Sequence, residues 1–188
     1  VKGCLAALRR SLEVARLDAE IIVVDDGSTP PLSLEGVTVV RGRGEGPSRA
    51  RNRGIARATG EVIAFTDDDA IVHPGWAAAM VSALDAAPDA VGVRGPVVST
   101  DYDELYEHSV EDADGGRFLT CNVAYRADAL RSIGGFDPAF RHAHEDVDAG
   151  LRISELGIVL FAPDMVVTHP GRRFSATEYD RRSRFMFD

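Results

Sequence analysis

Two short apolar runs that end abruptly in aspartates constrain the fold of this chain most strongly. Residues 21–24 (IIVV) are followed by DDGS, and residues 61–66 (EVIAFT) are followed by three consecutive aspartates. Runs of this kind are typical of strands that are buried on both faces of a parallel sheet. In such sheets ligands bind at the carboxyl ends of the strands, so we expect both acidic clusters at one ligand-binding edge.

Helical stretches separate these strands and predict an α/β fold. Leucines at helical spacing (Leu5, Leu8 and Leu12) predict a first helix near the N-terminus. Further helices are predicted from about residue 48 to 58 and, after the sequence Pro-Gly-Trp, to about residue 87. The alternation of strands and helices predicts a mainly parallel, Rossmann-like nucleotide-binding sheet flanked by helices.

The pattern is looser beyond residue 88. Residues 91–99 and 118–126 each predict a strand, and a helix is predicted from about residue 144 to 156, followed by two short strands. The stretch 100–116 between the first two is acidic and has no clear periodicity. We expect this stretch to contribute to a binding region for a second substrate.

Length and charge exclude several classes of protein. A chain of 188 residues is long enough for one sizeable domain and too short for two ordinary ones. The formal net charge of −9 argues against a nucleic-acid surface, which needs a basic stripe. No apolar run approaches the roughly 18 residues that a membrane span needs, so we expect a soluble, cytoplasmic protein, with peripheral membrane association left open. Cys4 and Cys121 are expected to be reduced core thiols.

The three consecutive aspartates Asp67, Asp68 and Asp69 predict a metal site. Like charges this close together are unfavourable unless a cation or hydrogen-bond donors compensate them. Oxygen ligands suit Mg²⁺ or Mn²⁺, and these ions bind a few carboxylates together with substrate phosphates. The alternative is an acidic turn in which Asp69 lies near the N-terminus of the next helix. We favour the metal site.

The first acidic cluster has two interpretations of its own. Asp25 or Asp26 is well placed to accept hydrogen bonds from a ribose hydroxyl or a base N–H, and the alternative is an Asx-type turn with solvated charges. Free backbone N–H groups and guanidinium groups at the start of the second helix are suited to a diphosphate. Five arginines lie in this region, most of them expected on a solvated face: Arg41, Arg43, Arg49, Arg51 and Arg53.

A group of histidines and acidic residues marks the start of the last predicted helix. The sequence HAHEDVD comprises His142, His144, Glu145, Asp146 and Asp148. Acidic residues at a helix N-terminus are stabilised by the helix dipole, so this group alone favours a structural role. His169 ends a short apolar run, and a single histidine before a proline is by itself typical of a structural loop residue.

Four segments, in this order and spacing, together resemble glycosyltransferase family 2. They are IIVVDDGST, GPSRARNRGIARATGEVIAFTDDDA, TCNVAYRADALRSIGGFDPAF and HEDVDAGLRISELG. The resemblance implies a single catalytic domain of the GT-A fold over residues 1–188, with a nucleotide-sugar-binding half (1–95) and an acceptor-binding and catalytic half (96–188). It also implies an inverting, metal-dependent transfer of a sugar from a nucleotide-sugar donor, expected to be UDP-linked, to an unknown acceptor.

The same resemblance implies roles for individual residues. Asp25 or Asp26 would contact the base and ribose, and residues 67–69 would be the DxD motif, with Asp69 as the principal metal ligand. Asp146 would be the general base, and His169 matches a position that completes the metal site in some related enzymes. The expected site therefore comprises Asp25, Asp26, Arg49, Asn52, Asp67 and Asp68 for the nucleotide, Asp67, Asp69 and His169 for Mn²⁺ or Mg²⁺, and Asp146 and Glu145 for catalysis.

The sequence departs from the family pattern at its start. Family members begin with a hydrophobic strand and a Pro-Thr-containing loop that cups the base, and this sequence begins after the position of that strand. We therefore expect the natural protein to extend upstream.

Three other classes of protein compete with the transferase interpretation. A phosphatase of the haloacid dehalogenase type also has Asp-x-Asp after a strand, but Ile71 stands where Thr or Val is usual and Lys2 is the only lysine. The same shortage of lysine disfavours a phosphoacceptor receiver domain. A non-catalytic nucleotide-sugar-binding module stays as the alternative, and the Glu145-Asp146 pair favours an enzyme.

Overall fold

The computed structural model describes residues 1–100, 107–108, 111–140 and 143–173. The helices are α1 Lys2–Ala15, α2 Pro47–Arg57, α3 Trp76–Ala86, α4 Ala127–Ser132 and α5 Glu145–Ser154. The strands are β1 Ile22–Asp25, β2 Thr38–Arg41, β3 Val62–Phe65, β4 Ile71–Val72, β5 Gly92–Arg94, β6 Val97–Thr100, β7 Glu107–His108, β8 Val123–Arg126, β9 Val159–Phe161, β10 Val167–Pro170 and β11 Arg172–Arg173. Among the described residues, no helix is both long enough and apolar enough to span a membrane.

The described strands form four hydrogen-bonded sheets. The largest has the order β3-β8-β5-β9, a second has the order β4-β10-β6, and β1-β2 and β7-β11 form two-stranded sheets. The α/β class is confirmed, but the prediction of a mainly parallel sheet is wrong for the largest sheet. There β8 runs antiparallel to both of its neighbours, and only β5 and β9 pair in parallel. Parallel pairing needs a crossover connection, usually a helix, and the described residues between β6 and β8 contain none, which fits the antiparallel direction of β8.

Two predicted strands are shorter than their apolar runs. The run 91–99 is divided into β5 and β6 at Gly95-Pro96, because proline has no N–H for a strand ladder. At Gly95 the Met165 carbonyl comes so close that an added Cβ would lie 2.0 Å from its oxygen. The run 118–126 becomes a strand only at Val123, because the Asn122 N–H donates to the Leu119 carbonyl in a turn.

The two central strands of the largest sheet, β5 and β8, are buried on both faces, whereas β1 and β3, which the apolar runs predict to be buried, are only partly so. Along β8, Val123 and Tyr125 belong to one core cluster, and Ala124 belongs to the other. The first cluster contains residues of α2, α4 and α5, and the second contains residues of α1 and α3. This alternation follows from the two-residue period of a strand. The helices therefore cover both faces of the sheet.

The side chain of Asn122 connects three segments of the chain by hydrogen bonds. Its side chain is 1% exposed, and its amide nitrogen donates to the carbonyls of Pro96 at 2.9 Å and Met165 at 2.7 Å. Its amide oxygen accepts a hydrogen bond from the Trp76 indole N–H at 2.8 Å. Pro96 directly precedes β6, and Met165 lies two residues before β10. Asn122 therefore holds the start of both strands against α3.

The strands that precede the two acidic clusters, β1 and β3, are edge strands among the described residues. Strand β1 is hydrogen-bonded to β2 alone, and β3 is hydrogen-bonded to β8 alone.

Candidate active site

Two aspartates and a histidine from distant parts of the sequence meet at the end of β3. Asp67 and Asp69 follow this strand, and His169 lies on β10. The His169 Nε2 atom is 3.5 Å from Asp67 Oδ2 and 3.5 Å from Asp69 Oδ1. One possible ligand atom from each residue lies within 4.8 Å of the other two. The structure thus brings together the three residues predicted to bind a metal.

The orientation of His169 fits a cation between these groups. His169 is 5% exposed, and its Nδ1 atom lies 3.0 Å from the Pro170 carbonyl oxygen. When Nδ1–H donates to that carbonyl, the lone pair of Nε2 faces two carboxylates, an arrangement that a proton or a metal ion stabilises. The Asp67 carboxylate raises the pKa of His169, because it stabilises the protonated imidazole. A positive charge is therefore favoured at this position. The imidazole makes this set less typical of Mg²⁺, which prefers oxygen ligands.

Arg51 lies at this candidate site and is one of the five arginines of which most were expected on a solvated face. Its Nη1 atom is 2.5 Å from Glu145 Oε1, and its Nη2 atom is 3.7 Å from Asp67 Oδ1. The guanidinium group also lies 5.5 Å from the centroid of the Phe136 ring. Helical spacing could have identified this residue, because it lies three and four positions from two buried residues of α2, Ser48 and Ile55.

Glu145 and Asp146 begin helix α5 and have different surroundings. Glu145 is 7% exposed, and its Oε2 atom has no hydrogen-bond partner among the described residues. Asp146 is partly buried, and its Oδ1 atom accepts a hydrogen bond from the Val147 N–H at 2.8 Å. Burial raises the pKa of Asp146, and the negative charge of Glu145 adds to this, whereas Arg51 lowers it. A carboxylate with a raised pKa is a stronger base, as a proton acceptor requires.

The pKa of the Cys121 thiol is affected by Asp67 and by Asp146. Burial, followed by the charge of Asp67, raises the pKa of this thiol to about 12, and Asp146 also raises it. Both cysteines are buried and free, as expected from the sequence. The contacts of Arg51 with Asp67 and Glu145 place the end of β3 beside the start of α5.

Asp25 is engaged in holding the loop after β1. Its carboxylate accepts hydrogen bonds from the backbone N–H groups of Ser28 and Leu32, each at 2.9 Å, and pairs with the Arg41 guanidinium. The Leu32 N–H, followed by the Ser28 hydroxyl, holds the pKa of Asp25 well below the usual range. These backbone hydrogen bonds are those of the Asx-type turn that was the alternative to nucleotide binding, but the Asp25 carboxylate is buried rather than solvated. The predicted nucleotide contact of Asp25 stays a prediction.

Asp26 organises the glycine-rich loop before α2. Its Oδ1 atom accepts from the N–H groups of Arg43 at 3.2 Å and Gly44 at 3.1 Å, and its Oδ2 atom accepts from Gly46 at 2.9 Å. An added Cβ at Gly42 would lie 2.1 Å from Asp26 Oδ1, so the close approach requires glycine. Nucleotide binding by Asp26 stays a prediction.

The remaining residues predicted for the nucleotide are Asn52, Arg49 and Asp68. Asn52 uses its amide on the backbone of Phe136, to which it donates at 2.7 Å and from which it accepts at 2.9 Å. Arg49 and Asp68 are exposed. Their nucleotide contacts stay predictions. His142 lies outside the described residues.

Similarity to known proteins identifies the family. Residues 1–145 match the family described as Glycosyl transferase family 2. The chain belongs to glycosyl transferase family 2. The matched region contains Asp67, Asp69 and Arg51 and ends at Glu145. Asp146 and His169 lie beyond it, so the argument for their roles depends on the geometry above.

One curated relative is named as a glycosyltransferase. The chain is 29% identical, over 202 aligned positions, to a pre-mycofactocin glycosyltransferase of Mycobacterium tuberculosis. The alignment covers 92% of this chain and 42% of that relative, so the chain spans less than half its length.

Two solved structures, of TarS and GalNAc-T7, share the fold of this chain. Residues 1–349 of TarS from S. aureus have a TM-score of 0.68 at 17% identity, covering 90% of this chain and 56% of that one. GalNAc-T7, solved with UDP, GalNAc and Mn²⁺, has a TM-score of 0.60 at 19% identity, covering 84% of this chain and 38% of that one.

Proposed function

We propose that the chain is the catalytic domain of an inverting glycosyltransferase that moves a sugar from a nucleotide-sugar donor to an acceptor hydroxyl. The observation that carries this proposal is the meeting of Asp67, Asp69 and His169 within 4.8 Å. Family membership supports the transfer of a glycosyl group. The GalNAc-T7 structure, which contains UDP and Mn²⁺, supports a uridine diphosphate donor and a divalent metal.

Asp67, Asp69 and His169 would hold Mn²⁺ or Mg²⁺ at the end of β3. When bound, the ion supplies positive charge that stabilises a departing nucleoside diphosphate. The Pro170 carbonyl keeps the Nε2 atom of His169 turned toward the two carboxylates. Asp25, Asp26, Arg49, Asn52 and Asp68 are the proposed nucleotide side of the site.

Asp146 would take the proton of the acceptor hydroxyl. Its Oδ1 atom is bonded to the Val147 N–H, so Oδ2 is the oxygen proposed to accept the proton. Removal of this proton makes the alcohol a stronger nucleophile, which attacks the anomeric carbon from the face opposite the leaving group and inverts it. One carboxylate suffices, because a diphosphate needs no protonation to leave, in contrast to the paired carboxylates of glycoside hydrolysis.

The two proposed halves of the domain share one site. Asp67 and Asp69 belong to residues 1–95, whereas His169 and Asp146 belong to residues 96–188. The donor-binding and catalytic halves would therefore act as one unit, in which neither half holds a complete site.

A binding experiment tests the metal and donor parts of the proposal. Titration calorimetry with UDP should show binding with Mn²⁺ and much weaker binding in excess chelator. Asp69→Asn should weaken binding, and Asp85→Asn, an exposed change on α3, should not. Equal affinity with and without chelator would exclude the metal role.

A transfer experiment separates an enzyme from a binding module. Nucleotide sugars are first screened by thermal shift with Mn²⁺, because a ligand that binds only the folded state raises its apparent stability. Donors that stabilise the protein are then incubated with candidate acceptors, and the glycosylated product is measured by mass spectrometry. Donor binding without transfer to any acceptor would support the non-catalytic module instead.

A further inference from the structure

One face of α2 contacts the segment of chain that leads into α5. The face comprises Ser48, Arg51, Asn52 and Ile55, which are spaced as i, i+3, i+4 and i+7 and therefore lie on one side of the helix. The Ser48 hydroxyl donates to the Phe140 carbonyl at 2.5 Å. This contact lies five residues before the start of α5.

Asn52 and Ile55 fix the turn near Phe136. The amide of Asn52 makes two hydrogen bonds to the backbone of Phe136, at 2.7 and 2.9 Å. Gly135 has a φ of +72°, and an added Cβ there would lie 2.5 Å from Asn52 Oδ1 and 3.4 Å from Ile55 Cδ1. The turn cannot shift along α2 without breaking these contacts.

Arg51 extends the same face into the candidate active site. One of its terminal nitrogens is 2.5 Å from Glu145 Oε1, and the other is 3.7 Å from Asp67 Oδ1. A guanidinium group is planar and rigid, so contacts from two of its nitrogens restrict the distance between the two carboxylates. The Phe136 ring below it, which the Asn52 hydrogen bonds hold in place, limits its movement.

We infer that Arg51 is a positioning residue, which holds the start of α5 and the base Asp146 at a set distance from the carboxylate of Asp67. This inference rests on the proposed function. Arg51 acts through Glu145, whose Oε1 it contacts and whose buried Oε2 has no hydrogen-bond partner among the described residues. Loss of Arg51 leaves a nearly buried carboxylate without this countercharge, beside the base, and the start of α5 moves.

The test compares Arg51→Met and Arg51→Lys with the parent protein. Methionine keeps an apolar stem over Phe136 and removes both polar contacts. We expect kcat to fall by about 10-fold to 100-fold, because a displacement near 1 Å reduces rates on this scale. Arg51→Lys keeps the charge and should recover part of the rate.

Binding measurements separate positioning from substrate contact. The Kd for UDP with Mn²⁺ should stay within about threefold of the parent in Arg51→Met. Mn²⁺ should bind no more weakly, because the substitution removes a positive charge that lies 3.7 Å from Asp67. If the UDP affinity falls while kcat is unchanged, Arg51 binds the diphosphate and the positioning role is overturned.

Two further variants complete the design. Arg57→Gln removes the same charge from the exposed last turn of α2 and should leave kcat unchanged. Glu145→Gln should lower kcat, and adding Arg51→Met to it should lower kcat little further, since both changes break one contact. Fully additive losses would overturn the inference.

The outcomes also distinguish this inference from the proposed function. A parent protein that binds UDP but transfers no sugar overturns the proposed function, and the positioning role falls with it. A parent protein that is active, with Arg51→Met at the same rate, overturns the positioning role alone.

Discussion

The side chain of Asn122 should be among the most sensitive positions for stability. Asn122→Ala removes both amide donors and the oxygen that accepts from Trp76. The Pro96 carbonyl keeps a hydrogen bond from the Val167 N–H at 3.1 Å. The Met165 carbonyl and the Trp76 indole N–H are therefore the two groups that lose the hydrogen bond they make to Asn122 without this compensation. Each buried polar group that loses its partner costs about 1–3 kcal/mol, which gives about 2–6 kcal/mol for the pair.

We expect a loss of about 3 kcal/mol in the free energy of unfolding, because a water molecule that enters the vacated space can restore part of the bonding. That is a large fraction of the roughly 5–15 kcal/mol by which native proteins are stable. Urea unfolding followed by far-UV circular dichroism measures it, since Trp76 is the single tryptophan and a fluorescence probe would be perturbed by the substitution.

A double-mutant cycle tests the reason for the loss. Trp76→Phe removes the indole donor and part of the ring volume, and its effect should not add fully to that of Asn122→Ala, because the two residues share one hydrogen bond. If Asn122→Ala unfolds within about 1 kcal/mol of the parent, then the Asn122 hydrogen bonds do not hold the two strands as described.

Four other predictions concern the proposed site and its pH dependence. Asp146→Asn should lower the transfer rate by about two to four orders of magnitude in single-turnover assays while UDP affinity is retained, and a rate near the parent value would place the base elsewhere. Because burial raises the pKa of Asp146, the folded state disfavours its charged form, so stability is lost as pH rises through the folded pKa. Asp146→Asn should therefore be more stable than the parent at pH 7 and equally stable near pH 3, as urea titrations at both values can show. His169→Ala should weaken Mn²⁺ binding by at least about tenfold in calorimetry, and the exposed His73→Ala should not; equal effects would remove His169 from the metal site. Asp25 has a lowered pKa, so its contribution to stability is present above the ordinary aspartate pKa and is lost as pH falls toward the folded value. Asp25→Asn should therefore flatten the acid side of the curve of unfolding free energy against pH. An unchanged curve contradicts this prediction.

Local patterns were sufficient to predict most elements of the fold. The apolar runs at β1 and β3 and the periodic leucines of α1 are properties of short windows, and the structure has a strand or a helix at each. The direction of β8 depends instead on the path that the chain takes between residues 100 and 122, which no local pattern encodes. The division between β5 and β6 was within reach of the sequence, because Pro96 interrupts the ladder.

The candidate site was predictable in part for the same reason. Asp67 and Asp69 lie beside one another in sequence at a strand end, so local charge repulsion points to them. His169 is a hundred residues away, and it reaches them because β10 pairs with β4 on one side and β6 on the other. Only the family resemblance pointed to it. Arg51 was not distinguished from the other four arginines, most of which were expected on a solvated face, although helical spacing places it beside Ser48 and Ile55.

The two chemical parts of the proposed site depend on different supports. His169 is held on β10, whose start is fixed by the Asn122 hydrogen bonds, whereas Asp146 depends on the contacts between α2 and the turn before α5. Loosening the first support should therefore reduce metal and UDP affinity before it reduces the rate on saturating donor. Loosening the second should do the reverse. Arg51 contacts both parts, through Asp67 and Glu145, so it is the position at which changes in one part reach the other.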